Sequence, residues 1–181
     1  DEKWHGTVTL RSALANSYNI PALLVQEAVG TKEVIGTARR LGVTTELPEV
    51  ASLTLGAGVV RLLDMTSAYG VFANGGLRVE PNPFLKITDS QDQVVYEMKE
   101  PKGEQAIAPE VAYQVADVLA DPAARRPMFG NVLDLNGGRV AAVKTGTAND
   151  ARDLATYGYL GPPADPKAPA LAVGIWMGNS D

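Results

Sequence analysis

At 181 residues the chain has the length of one ordinary domain, and 45% hydrophobic with 20% charged residues are values of a globular chain able to build a core. A formal net charge of -5 with both signs mixed leaves no basic footprint for nucleic acid; zero cysteines and a single histidine, His5, exclude disulfides, thiol chemistry and the usual zinc ligand sets, so neither a metal nor a cofactor is expected. The uncharged stretch at residues 168–180 is broken by Pro169, Gly174 and Gly178 and falls short of the roughly 20 apolar residues of a spanning helix, so any membrane attachment is expected through an anchor outside this chain.

From Thr9 to Leu41 the periodicity is helical, with Leu10 and Leu14, then Ile20, Leu23, Leu24 and Ala28, then Val34, Ile35, Ala38 and Leu41 as apolar stripes. Several short helices in succession are predicted: Pro21 suits a first turn, Thr31 an N-cap, and Gly30 and Gly42 C-terminal stops, which leaves residues 16–19 as a bend. A further helix is predicted from Asp64, as a capping residue, through Ala68, Val71 and Phe72 to a stop at Gly75-Gly76, two glycines that supply the positive φ such an end favours. Another begins at Pro109, repeats Val111, Val115, Val118 and Leu119, and ends at Asp121-Pro122.

Strands are predicted at residues 84–88 and 94–97, joined through 89–93 as a hairpin, and at 139–145, 154–160 and 170–177. Residues 121–138, rich in Pro, Arg, Asn and Gly, read as a loop. Short connections such as 148–152 favour antiparallel neighbours, so the fold class is α/β of the α+β type, an antiparallel sheet flanked by helices, in one domain over residues 1–181 that is incomplete on its N-terminal side.

The sharpest local feature is Lys144-Thr145-Gly146-Thr147, where an apolar strand ends in a cation, two hydroxyls and a glycine. Such a set suits a carboxylate, and a main-chain N–H beside Gly146 suits a developing oxyanion. Taken alone it equally describes a strand end with a solvated lysine. Ser17-Tyr18-Asn19 puts a hydroxyl and a carboxamide in a bend where they can face one space, and is equally ordinary helix capping. Phosphate binding fails on inspection: the Gly56-Ala57-Gly58 run has Arg61 where a third glycine belongs, and Val143 precedes Lys144 where a P-loop needs glycine.

Read together with the sequence between them, the two motifs resemble those of the penicillin-binding family, serine acyltransferases marked by S-x-x-K, S-x-N and K-T-G. Residues 9–22 resemble the segment around S-x-N. Leu55-Gly56-Ala57-Gly58, Asp64 and the run from Ala68 to Gly76 are similar to a stretch of the bifunctional, class A members. Lys144-Thr145-Gly146-Thr147-Ala148-Asn149-Asp150 resembles the third motif, and Trp176-Met177-Gly178-Asn179 the closing strand.

The resemblance implies a β-lactamase/transpeptidase-like fold and acyl transfer on the D-alanyl-D-alanine end of a peptidoglycan stem peptide, with β-lactam antibiotics as mimics, on the extracytoplasmic face of a bacterial membrane. It implies that Ser17 helps move a proton to the leaving amine, that Asn19 holds the donor's amide carbonyl, and that Lys144 supplies positive potential to the relay. Thr145 and Thr147 would bind the terminal carboxylate, with Gly146 beside them, and the Thr147 N–H would be one of two oxyanion donors. The first motif, however, is missing: no serine of the chain has lysine three residues on, so no nucleophile is present and the segment carrying it is expected before Asp1. That missing part of the same domain is then a partner, and the chain alone is expected to be inactive. Ala155 and Thr156 stand where the family usually carries an aromatic pair, which implies altered packing beside the cleft. Two readings stay open beside transpeptidation: a non-catalytic module that binds stem peptides or β-lactams, and a carboxypeptidase or β-lactamase type of hydrolase. No role is expected for His5, a surface residue.

Overall fold

The computed structural model describes residues 4–99, 101–135, 139–148, 152–160 and 170–179. Three short helices come first: α1 (Leu10–Ala15), capped by Thr9, whose Oγ1 accepts from the Ser12 N–H at 3.1 Å, then α2 (Asn19–Val29) and α3 (Thr31–Arg40). Gly30, at φ 95°, closes α2 and opens α3, so it and not Thr31 is the cap; the Thr31 hydroxyl instead accepts from Gln26. A single 3₁₀ turn at Leu53–Leu55 precedes α4 (Leu62–Ala73), which stops, as predicted, at Gly75 and Gly76 with φ of 62° and 88°. The cap of α4 is Arg61. Asp64 lies in the first turn, and its carboxylate is taken up by Thr44, whose N–H and hydroxyl both donate to Oδ2.

Two small ladders follow. β1 (Leu77–Arg78) pairs antiparallel with β4 (Glu104–Gln105), and between them β2 (Lys86–Thr88) and β3 (Val94–Glu97) form the predicted hairpin, with the Asp89 carboxylate accepting from the Gln91 and Gln93 N–H groups in the turn. α5 (Pro109–Leu119) runs as predicted. The stretch read as a loop after Asp121 instead opens with α6 (Pro122–Phe129): Asp121 ends one helix and caps the next, its carboxylate accepting from the Ala124 N–H, and Pro122 occupies the first turn, where a missing N–H costs nothing. Positions 136–138 of that reading, like Asn149 and Asp150 of the third motif, lie outside the described residues.

The main sheet is β5 (Ala142–Thr147), β6 (Asp153–Leu160) and β7 (Leu171–Gly178), antiparallel in that order. Its register sets Lys144 against Tyr157 and Gly146 against Ala155, then Tyr157 against Gly174. α4 crosses β6 and β7 on one face, and α5 packs against α4 and β5. The crossing is close because β7 carries Gly174 beneath it: a Cβ there would meet the Tyr157 ring at 3.0 Å and would strike the Thr66 hydroxyl. Leu119, Ala142 and Tyr159 form the centre of this layer with Tyr69, Phe72 and Val115 around them; each large side chain fully buried here contributes about 1.5–3 kcal/mol. Tyr69 stacks on Tyr157, ring centroids 5.3 Å apart. The stripes at Leu10, Leu14, Ile20 and Leu24 do not join the core and are exposed among the described residues.

Candidate active site

α1 ends at Ala15 and the chain turns sharply before α2 begins at Asn19. Ser17 makes the turn in the left-handed region, φ 59°, a conformation costly for a residue with a Cβ and tolerated where the surroundings hold it. The bend is closed by two main-chain bonds, Ser17 N–H to the Leu14 carbonyl at 3.2 Å and Tyr18 N–H to the Ala13 carbonyl at 3.0 Å. Ser17 and Asn19 are both exposed, and the Tyr18 ring between them stacks on His5, centroids 4.2 Å apart.

The other motif reaches the same place from β5. Lys144 Nζ donates to Ser17 Oγ at 2.7 Å and to the carbonyl of Thr145 at 2.7 Å, so residues 127 positions apart meet in one hydrogen-bonded unit. Lys144 is half-buried, with Tyr157 as its register partner and Tyr69 stacked behind that ring. Loss of hydration in this setting pulls its pKa below the ordinary lysine value, which eases transfer of a proton from the ammonium to an adjacent oxygen. Burial pushes the Tyr157 phenol up and Tyr159 up to about 12, so both rings stay neutral neighbours.

Beyond Lys144 the strand becomes open: Gly146 and Thr147 are exposed, and a Cβ built at Gly146 would meet nothing within 4 Å. The space above the strand end is therefore vacant room a ligand backbone can enter. Thr145 pairs with Thr156 and Thr147 with Leu154, and the Ala148 N–H bonds the Asp153 carbonyl at 2.9 Å to close the hairpin. Ala155 and Thr156 thus lie directly across from Gly146 and Thr145, the strand beside the motif carrying small side chains there.

Of the residues expected at the site, the structure brings Ser17 and Lys144 into direct contact, while Asn19 and the strand end at Gly146 and Thr147 are exposed; two buried residues that tie the surrounding elements together, Asn16 and Arg125, were not singled out from sequence. Asn16 is 1% exposed, and its Nδ2 donates to the carbonyls of Ser12 and Ala124 while its Oδ1 accepts from the Met128 N–H. Asparagine at a helix end reads as a cap from sequence, and nothing local reveals that two of its three partners are more than 100 positions away.

Residues 1–161 match the family described as the penicillin binding protein transpeptidase domain. The chain belongs to that family. This transpeptidase-domain chain is 35% identical to penicillin-binding protein 1A of Aquifex aeolicus over 98% of its own length and 23% of that protein's, and 31% identical to penicillin-binding protein 2D of Bacillus subtilis over 94% and 24%. It therefore spans about a quarter of the curated relatives it matches. Its fold superposes on PonA1 from Mycobacterium tuberculosis in complex with penicillin V with a TM-score of 0.81, 25% identity, 97% of this chain and 49% of that one. The mixed architecture of helices and antiparallel sheet is thus the β-lactamase-like fold of these domains. Among the described residues no helix is long and apolar enough to cross a membrane.

Proposed function

We propose that the chain forms one side of a serine-type D,D-transpeptidase site, acting on the D-alanyl-D-alanine end of peptidoglycan stem peptides on the extracytoplasmic face of the membrane. β-Lactams are the competing acyl donors. The observation that carries the reading is the 2.7 Å bond from Lys144 Nζ to Ser17 Oγ, which joins the two motifs into a proton relay. We treat residues 1–181 as part of one domain whose nucleophilic serine lies outside them, because no serine here is followed by lysine at the third position.

In this reading a serine Oγ supplied from outside these residues attacks the carbonyl of the penultimate D-alanine, and the C–N bond to the terminal D-alanine breaks. The leaving amine takes a proton from the Ser17 hydroxyl, Lys144 returns one to Ser17, and the proton given up by the attacking serine restores Lys144, so the net transfer is from nucleophile to leaving amine; the lowered lysine pKa suits that exchange. Asn19 holds the donor amide carbonyl, Thr145 and Thr147 bind the terminal carboxylate beside Gly146, and the Thr147 N–H is one oxyanion donor, a contribution of about 3 kcal/mol by analogy with single-donor deletions. An acceptor amine then resolves the acyl-enzyme.

Intact-mass spectrometry with a reactive penicillin tests this on the chain alone and on the longer polypeptide that carries it with its nucleophile. The expected result is an adduct on the longer protein only, formed roughly 10²–10⁴-fold more slowly in Lys144→Ala. An adduct on the 181 residues alone would mean that one of their own serines reacts. No adduct on either protein would favour a non-catalytic binding module.

A further inference from the structure

Both halves of the Ser17–Lys144 unit are fastened to one element that takes no part in either motif, the eight-residue helix α6. On one side Asn16, next to Ser17, bonds the Ala124 carbonyl at 2.8 Å and the Met128 N–H at 3.2 Å, both belonging to α6. On the other, Arg125 of α6 is 3% exposed and donates to the carbonyls of Leu119 at 2.9 Å and Ala141 at 3.5 Å, the latter immediately before β5 and three residues ahead of Lys144. Its second nitrogen donates to the Leu133 carbonyl and pairs with Asp134 at 2.9 Å. Arg11 of α1 adds a tie to Asp117 and Asp121, the latter being the cap of α6.

Ser17 sits at φ 59°, outside the region an L-residue prefers, so its place depends on what holds the bend. The two main-chain bonds that close the turn belong to α1 itself and move with it. Asn16 is the group in the bend that is buried and bonded to another element. Two of its three polar contacts, to Ala124 and Met128, tie the bend to α6, and Arg125 of α6 in turn reaches the Ala141 carbonyl just before β5. A 2.7 Å hydrogen bond tolerates little drift between those two supports.

We propose that Asn16 is a positioning residue for the acyl-transfer site: by clamping the left-handed turn to α6, it sets the distance between the Ser17 hydroxyl and the Lys144 ammonium. This rests on the transpeptidase reading for its rate consequence. Asn16 touches no substrate in this account and acts through Ser17.

The test is a double-mutant cycle on penicillin acylation of the longer polypeptide that carries the chain and its nucleophile, with Asn16→Asp, Ser17→Ala and the pair. Asn16→Asp keeps the acceptor for Met128 and turns the donor edge, facing two carbonyls, into an acceptor. It should slow acylation of folded protein roughly 30- to 100-fold, the scale of a small displacement of a catalytic group. In the Ser17→Ala background the same substitution should cost less than about 3-fold, because the group it positions is gone. Should circular dichroism find Asn16→Asp unfolded, Asn16→Ser takes its place in the cycle. Gln26→Leu, which removes a comparably buried carboxamide bonded to Thr31, Val50 and Thr54, controls for lost stability and should leave acylation of folded protein unchanged. Equal losses in both backgrounds, no loss at all, or a matching loss in Gln26→Leu would each overturn the inference while wild-type acylation leaves the transpeptidase reading standing. A wild-type protein that takes no penicillin sinks that reading, and this one with it.

Discussion

Asp64 illustrates how a residue that looks like a cap from sequence can serve a different partner. It stands three residues into α4 after Arg61, yet its Oδ2 accepts from the Thr44 hydroxyl and N–H, and these bonds, the hydroxyl first, hold its pKa below the ordinary 3.8. A depressed carboxylate contributes its stability above its unfolded pKa and loses it as pH falls through the lower folded value. Asp64→Ala should therefore cost about 1 kcal/mol in urea unfolding at pH 7, the Thr44 donors being exposed and free to turn to water, and the gap to wild type should close as the titration proceeds below pH 3.8. Lys144 runs the other way: dehydration lowers its pKa, so the folded state is penalised while the amine is charged, and recovers stability as pH rises from the folded value towards 10.5. Lys144→Met should then be at least as stable as wild type at pH 7, by about 1 kcal/mol, while acylation of the longer polypeptide that carries the nucleophile collapses; a large drop in Tm would mean that the bond to Ser17 outweighs the dehydration. Ser17 and Lys144, which the fold joins, were each flagged in the sequence by a short motif of hydroxyls, carboxamide or cation. Asn16 was not, since a buried carboxamide and a capping one are the same letter until its distant partners are known.

α6 shows the same limit at the level of an element. Its sequence, Pro122-Ala-Ala-Arg-Arg-Pro127-Met-Phe, has two prolines in eight residues and no long apolar repeat, so periodicity alone reads a loop. What stabilises it is the Asp121 cap at its start and Arg125 within, whose hydrogen bonds to Leu119, Leu133, Asp134 and Ala141 are tertiary. β1 and β4 escaped for a related reason: two residues each carry no period, and their pairing joins chain positions about 27 apart. The hairpin at β2–β3 and the three strands of the main sheet were readable from alternation and short connections, although β5 begins at Ala142 rather than 139 and β7 runs on to Gly178. Arg125→Met should cost about 3 kcal/mol, because four acceptors lose their donor in a buried place and Asp134 loses its cation. The cost should be read by urea unfolding with the m-value held; a variant as stable as wild type would mean that α6 is held by packing alone.

At the scale of the molecule, among the described residues, the sheet has one covered face and one open one. α4 and α5 cover the face of Tyr157 and Gly174, whereas the alternate residues of β7, Leu171, Val173, Ile175 and Met177, are between 48% and 64% exposed. Leu171, Val173 and Ile175 border an open groove of about 390 Å3 whose other walls include Leu133, Leu135, Val143 and Leu160. A half-buried antiparallel strand ordinarily alternates apolar with polar; apolar residues at both phases, as β7 carries, belong to a strand meant to be covered on both sides. That run of apolar residues is visible in the sequence, but which face stays bare depends on the path of α4, which no local pattern encodes. A bare apolar strip of this kind drives association in water. The 181-residue chain on its own should self-associate at tens of micromolar and bind a hydrophobic dye, as read by sedimentation velocity and dye fluorescence, and the pair Val173→Thr with Ile175→Thr should reduce both without altering far-UV circular dichroism. The longer polypeptide should remain monomeric under the same conditions if its additional residues cover the strip. A monomeric, dye-silent isolated chain would mean instead that the strip is covered from within these 181 residues.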